Sequence, residues 1–221
     1  MTRARRSART MSSKSTQAAP ATSKSRTEPA AQADCQLYRE FLVPAGGSRK
    51  ILRVIGVDPG SDSTGYGVVD SDGKHHRLVE CGAIRAPSRS SFAERLCVIS
   101  DKLDEVVRRL KPGACAVEET FYAVNVKSAL KLGHARGIAL VAAARAGIPV
   151  FEYSPLEVKL ALVGYGRAEK QQVQEMVRLI LSLKERPKPL DASDALGVAI
   201  CHINTYYTRS RSSQAGRKRL R

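Results

Sequence analysis

Residues 51–69 read ILRVIGVDPGSDSTGYGVV, and the fold is decided there. Ile51 to Val57 is a short run of β-branched and apolar residues, the pattern of a strand buried on both faces. Asp58 stands at its end. Pro59 and Gly60 then break the strand, and the chain passes Gly65 and Gly67 into a second strand, Tyr66 to Asp70. Gly60, Gly65 and Gly67 are expected to serve the tight hairpin itself.

Downstream, Ser71-Asp72-Gly73 makes a turn and Lys74 to Gly82 a third strand, which completes an antiparallel meander. From Phe92 to Leu110 apolar residues recur at three- and four-residue steps, the mark of an amphipathic helix. Ser91 and Glu94 make its capping box, and Pro112-Gly113 stops it. Ala114 to Val117 is a fourth buried strand ending at Glu118. Asn125 to Arg145 is a long helix, small or apolar on nearly every side, which places it centrally or at a subunit interface. Ile148 to Tyr153 is a fifth strand, and Ser154-Pro155-Leu156-Glu157 opens the next helix. Helices over Ala168 to Leu183 and Asp191 to Tyr207 follow. This order predicts an α/β fold of three layers around a mixed five-stranded sheet.

The formal charge is +16, but it is unevenly spread. Residues 1–50 hold ten Lys/Arg against three acids, and residues 208–221 hold six and none. The stretch 51–207 is nearly balanced, with 21 bases and 18 acids. The expected organisation is a disordered basic arm (1–50), one compact domain (51–207) and a disordered basic tail (208–221), the ends supplying sequence-independent phosphate contacts. The arm also has the composition of a transit peptide or of a mis-called start, and the methionines fall only at Met1, Met11 and Met176. Five scattered cysteines without a C-x-x-C pair point to reduced thiols in a cytoplasmic protein, and exclude a zinc knuckle or disulfide framework. No apolar run reaches the roughly 20 residues of a membrane span.

The chemistry lies in acids. Asp58 and Glu118 each end a buried strand, at the carboxyl edge where α/β crevices form. Asp191 and Asp194, three apart at a helix start, share a face. Singly, either could cap a helix and Asp58 could be a turn residue. Together, four crowded carboxylates repel unless cations hold them. Oxygen ligands without His or Cys suit Mg²⁺, with Mn²⁺ as a substitute. Two such ions support hydrolysis of a phosphodiester by in-line attack.

The strings IGVDPGSDSTGYGVV, AVEETFYAVNVKSALKLGHARGIALVAAA, PVFEYSPLEVKLALVGYGRAEKQQVQEMV and DASDALGVAICH together resemble the RuvC family of Holliday junction resolvases, from about Leu52 to His202. The resemblance implies an RNase H-like fold, a homodimer, two Mg²⁺ per subunit, and symmetric nicking of four-way junction DNA in recombination and repair, alongside the RuvA and RuvB branch-migration proteins. Its catalytic and metal-binding acids fall on Asp58, Glu118, Asp191 and Asp194. The adjacent Glu118 and Glu119 leave a local choice. The family pattern selects Glu118, whereas strand alternation says only that the two point in opposite directions.

DNA contacts are expected from Phe121, Lys127, Lys131, Lys159 and Lys170. Phe121 follows the acid and is placed to stack on an unpaired base, and Tyr122 is closer to a core residue. Lys127, Lys131 and His134 make a basic stripe on one helix face. Lys159 and Lys170 match family basic residues near the scissile strand. Arg136 and Arg167 are weaker candidates. The stretch from Asp58 to Gly67 also resembles the phosphate loop of actin-like sugar kinases, but 221 residues are short for their paired domains. A non-cleaving junction binder has no need of four acids, and a nuclease for other structured nucleic acids is the nearest rival.

Overall fold

The computed structural model describes residues 51–119 and 125–218, with side chains to residue 212. The basic arm, Phe121 and Tyr122 lie outside the described residues. The elements are β1 (Leu52–Asp58), β2 (Ser63–Ser71), β3 (His76–Arg85), α1 (Phe92–Leu110), β4 (Ala114–Glu118), α2 (Val126–Arg145), β5 (Val150–Tyr153), α3 (Pro155–Val163), α4 (Lys170–Ile180) and α5 (Leu190–Lys218). The strands form one sheet in the order β3-β2-β1-β4-β5. β1 to β3 pair antiparallel, whereas β4 pairs parallel to both β1 and β5. The mixed sheet expected from the sequence is thus present.

Strand alternation divides the core. Val54 and Ala116 pack with Leu196, Ile200 and Ile203 of α5 on one face. Ile55, Val57, Cys115 and Val117 pack on the other, with Ile99 and Leu103 of α1 and Ala139 and Ala143 of α2. Burying each such Ile or Leu contributes about 1.5–3 kcal/mol, so a sheet covered on both faces is strongly favoured. The central helix α5 is fully buried from Ala195 to Leu196 and from Ala199 to Ile200.

Local signals hold where capping chemistry sets a boundary. Ser91 Oγ accepts from the Glu94 N–H and Ser154 Oγ from the Glu157 N–H, each completing a capping box. Several boundaries move. β3 runs to Arg85 because the register pairs Ser63 with Arg85. α4 begins at Lys170, capped by Glu169, and stops at Ile180 before Ser182 enters the left-handed region. The tail after Tyr207 is helical through Lys218, not disordered as its composition suggests. Tyr207 Oη donates to Ser71 O (3.2 Å), and the Ser210 and Ser212 hydroxyls donate to Tyr206 O and Thr208 O.

The glycine expectation is corrected in part. A Cβ on Gly60 would lie 2.1 Å from Ser63 O, so Gly60 does serve the hairpin. A Cβ on Gly65 would instead meet Asp191 O at 2.0 Å, and one on Gly67 the Leu196 side chain at 2.6 Å. Gly56, paired with Gly67 across the strands, faces Ala195 O at 2.0 Å. These three glycines are a bed for α5, which approaches the sheet at backbone distance.

Candidate active site

The glycine bed determines the site, because it seats the first turn of α5 against β1 and β2. Asp58 follows Val54 and Gly56 on the α5 face of β1, and Glu118 follows Ala114 and Ala116 on the same face of β4. The parallel register pairs Val57 with Val117, so the two acids are neighbours one step beyond it. A hydrogen bond joins them. Glu119 points away, 3.7 Å from Arg136, whose guanidinium also pairs with Glu152. Sheet alternation with a known core face therefore separates Glu118 from Glu119.

The other three acids, Glu118, Asp191 and Asp194, all act on Asp58. Burial, the neighbouring Asp58 charge and the shared hydrogen bond push Glu118 up to about 8. Burial and the Asp194 and Asp191 charges raise Asp58 to about 6, against the hydrogen bond from Glu118. Glu118 thus holds the shared proton and donates it to Asp58. Lys170, at the start of α4, places Nζ 2.6 Å from Asp194 Oδ2, and its charge also favours ionised Asp58 and Glu118. Ser63 Oγ donates to Asp191 Oδ2 at 2.6 Å.

Among the described residues no three acids or imidazoles are already drawn into an ion cage. The excess negative charge is met by the shared proton and the Lys170 ammonium. An all-oxygen set of desolvated carboxylates that must otherwise retain a proton fits a hard divalent cation, which would displace that proton. The residues present fit the group.

The predicted DNA contacts are only partly gathered. Lys170 belongs to the acid cluster. Lys127 is exposed in the first turn of α2, and Lys159 is half-buried on α3. Lys131 Nζ lies 5.7 Å from the Phe92 ring centroid, and His134 meets the same ring edge-on at 5.7 Å. Arg95 also covers Phe92, and it pairs with Asp62 in the loop after Asp58. The stripe thus meets α1 beside the site's loop. Arg136 is held by Glu152 and Glu119, which accounts for it structurally, and Arg167 is exposed. Sequence reasoning missed Ser63 and Arg95, whose partners are 128 and 33 residues away. No local pattern marks such pairs.

A mixed sheet with helices on both faces and carboxylates at its parallel edge defines an RNase H-like α/β protein. The profile described as crossover junction endodeoxyribonuclease RuvC matches residues 54–202, and the chain belongs to that family of DNA endonucleases. It is 51% identical over 153 residues to the crossover junction endodeoxyribonuclease RuvC of Magnetococcus marinus, covering 69% of this chain and 84% of the relative. Identity to the Chloroflexus aurantiacus protein of the same name is 49% over 160 residues, covering 72% and 98%. The structure of Thermus thermophilus RuvC in complex with Holliday junction substrate superposes with a TM-score of 0.67 at 41% identity, covering 72% of this chain and 96% of that one.

Proposed function

We propose that this chain is a Holliday junction resolvase: a homodimeric, cytoplasmic endonuclease that uses two Mg²⁺ ions per subunit to cut two opposing strands of a four-way DNA junction symmetrically. The convergence of Asp58, Glu118, Asp191 and Asp194 on one sheet edge carries the reading. Similarity to a protein solved with junction DNA supports the substrate. RuvA and RuvB are the partners that the family resemblance implies.

Bound Mg²⁺ would supply Lewis acidity to the attacking water and the leaving oxygen of the phosphodiester. The residues define what surrounds that chemistry. Asp58, central in the cluster, and Glu118 would hold the cations from the sheet, and Asp191 and Asp194 would hold them from α5. Lys170 exchanges Asp194 for a scissile-strand phosphate and offsets charge that develops there. Lys127, Lys131 and Lys159 position flanking phosphates, and Phe121 stacks on an unpaired base.

Ser63 fixes the orientation of Asp191. Ser63→Ala is expected to raise the Mg²⁺ concentration for half-maximal cleavage about tenfold, the scale on which outer hydrogen-bond partners act, and Ser63→Thr should restore it. A Mg²⁺ titration identical to the wild type would show the hydroxyl to be dispensable.

The dimer is supported by α2. Its outer face exposes Leu130 and Val141, which line a groove with Leu96, Ala129, Gly133 and Ile138 between α1 and α2. An apolar helix stripe left in water marks an interface.

The deciding experiment offers the wild type a four-way junction and a linear duplex side by side in Mg²⁺. Paired, symmetric nicks in the junction alone are expected, and equal cutting of the duplex would leave only a general nuclease. Val141→Glu should lower the mass in solution from dimer to monomer and abolish paired nicking. An unchanged mass would put the interface elsewhere.

A further inference from the structure

The second strand and the last helix carry a feature that the carboxylate site does not use. β1 and β2 pair Asp58 with Gly65 at the catalytic end and Leu52 with Ser71 at the other, so the β2–β3 hairpin lies at the end remote from the acids. α5 runs the same way. Its acids stand in the first turns, and Arg209 follows Asp194 by about 22 Å at the helical rise. The family match ends at residue 202, yet the helix continues to Lys218.

That continuation is anchored to the hairpin. Gly73 takes a left-handed φ of 86°, and a Cβ there would strike the Tyr207 ring at 2.6 Å. Tyr207 Oη donates to Ser71 O, and Arg211 Nη2 donates to Gly73 O at 3.4 Å. The two elements thus present one surface.

Its exposed charge is predominantly positive. Arg209 and Arg211 are exposed on α5, and Lys74 and Arg77 are exposed on the hairpin. The hairpin acids have partners, although backbone hydrogen bonds leave the charge of Asp72 in place. Asp70 accepts from Arg53 and Arg77, and Asp72 accepts from the backbone N–H groups of Lys74 and His75. Residues 208–221 contain six Lys/Arg and no acid, with Arg217 and Lys218 in the last helical turn. Positive charge of this kind suits a phosphate backbone, and it carries no base-reading geometry.

We propose that the C-terminal half of α5 and the β2–β3 hairpin form a second DNA-binding surface, sequence-independent, that grips a duplex segment other than the one being cut. The proposal rests on the reading of the chain as a DNA junction enzyme, but involves none of its site residues.

The test measures binding of the full-length chain to a labelled linear duplex and to a four-way junction in EDTA, across a salt series. R209Q/R211Q should weaken duplex binding about tenfold at low salt and make the log–log salt slope shallower by about two, one phosphate per arginine. K74Q should make it shallower by about one. R209K/R211K should retain wild-type binding. K102Q/R108Q, which removes the same charge from the exposed face of α1, should leave the slope unchanged. A wild-type slope in R209Q/R211Q overturns the proposal, as does an equal loss in K102Q/R108Q, which would reduce the effect to net charge. If R209Q/R211Q fails to fold, K74Q on the separate hairpin decides alone. Failure of symmetric junction cutting, with the duplex effect intact, would remove the resolvase reading and leave this surface standing.

Discussion

Asp58→Asn is expected to reduce cleavage of a synthetic four-way junction in Mg²⁺ by about 10³-fold or more, while junction binding survives. Asp58 is the acid that the other three surround, and an amide in its place keeps the shape but removes the charge. Loss of one preorganised electrostatic group commonly costs on the order of 10²–10³ in rate, and a cation held by that group adds to the loss. A variant that still cuts would show that the metal site lies elsewhere.

The same substitution has a readout independent of turnover. Glu118 at about 8 and Asp58 at about 6 lie above their ordinary values, so the folded chain retains protons that the unfolded chain releases. Their stabilising contribution is complete below about pH 4 and is lost as pH rises through 6 to 8. In the absence of divalent ions, Tm should fall over that interval. On the proposed reading these acids would give up the proton on binding Mg²⁺, and the ion should therefore raise Tm more at pH 8 than at pH 5. Asp58→Asn should flatten both effects. A Mg²⁺ response that does not depend on pH would dissociate the ion from this pair.

Gly65→Ala is the second large effect. The added Cβ would lie 2.0 Å from Asp191 O and 2.4 Å from its carbonyl carbon, and both are backbone atoms at a helix start. α5 must then move off the sheet. Overpacking of this kind costs about 1–3 kcal/mol, read as a lower Tm or denaturation midpoint. It also carries Asp191 and Asp194 away from Asp58 and Glu118, and misplacement by about 1 Å costs on the order of 10²-fold in rate. Gly164→Ala is the contrast: no atom lies near its Cβ, yet φ is 87°, so it should lose some stability through strain and leave the acids in place. Comparable cleavage defects in the two variants would sink the account of the glycine bed.

Much of the fold was legible because its signals are local. The Ser91 and Ser154 capping boxes and the apolar runs of β1 and β4 each declare themselves within a few residues. The sheet's mixed topology followed from their order. The end of α5 was not legible, because an Arg- and Ser-rich sequence reads as solvated chain. Its start is anchored by Tyr207, which reaches Ser71, 136 residues away.

The site divides in the same way. Sequence alone determined which residue types were available, four acids at strand ends and a helix start, and hence the hard-cation chemistry they suit. The family pattern already favours Glu118 over Glu119, and the tertiary structure adds a physical reason, because the direction of a side chain on a strand has meaning only once the core face is known. The structure likewise gave Ser63 to Asp191, moved Lys170 into the cluster and reassigned Gly65 and Gly67 from a turn to a helix bed. Each of these depends on contacts between distant segments, most of them made where α5 packs, and periodicity along one segment carries no information about what another segment brings to its surface.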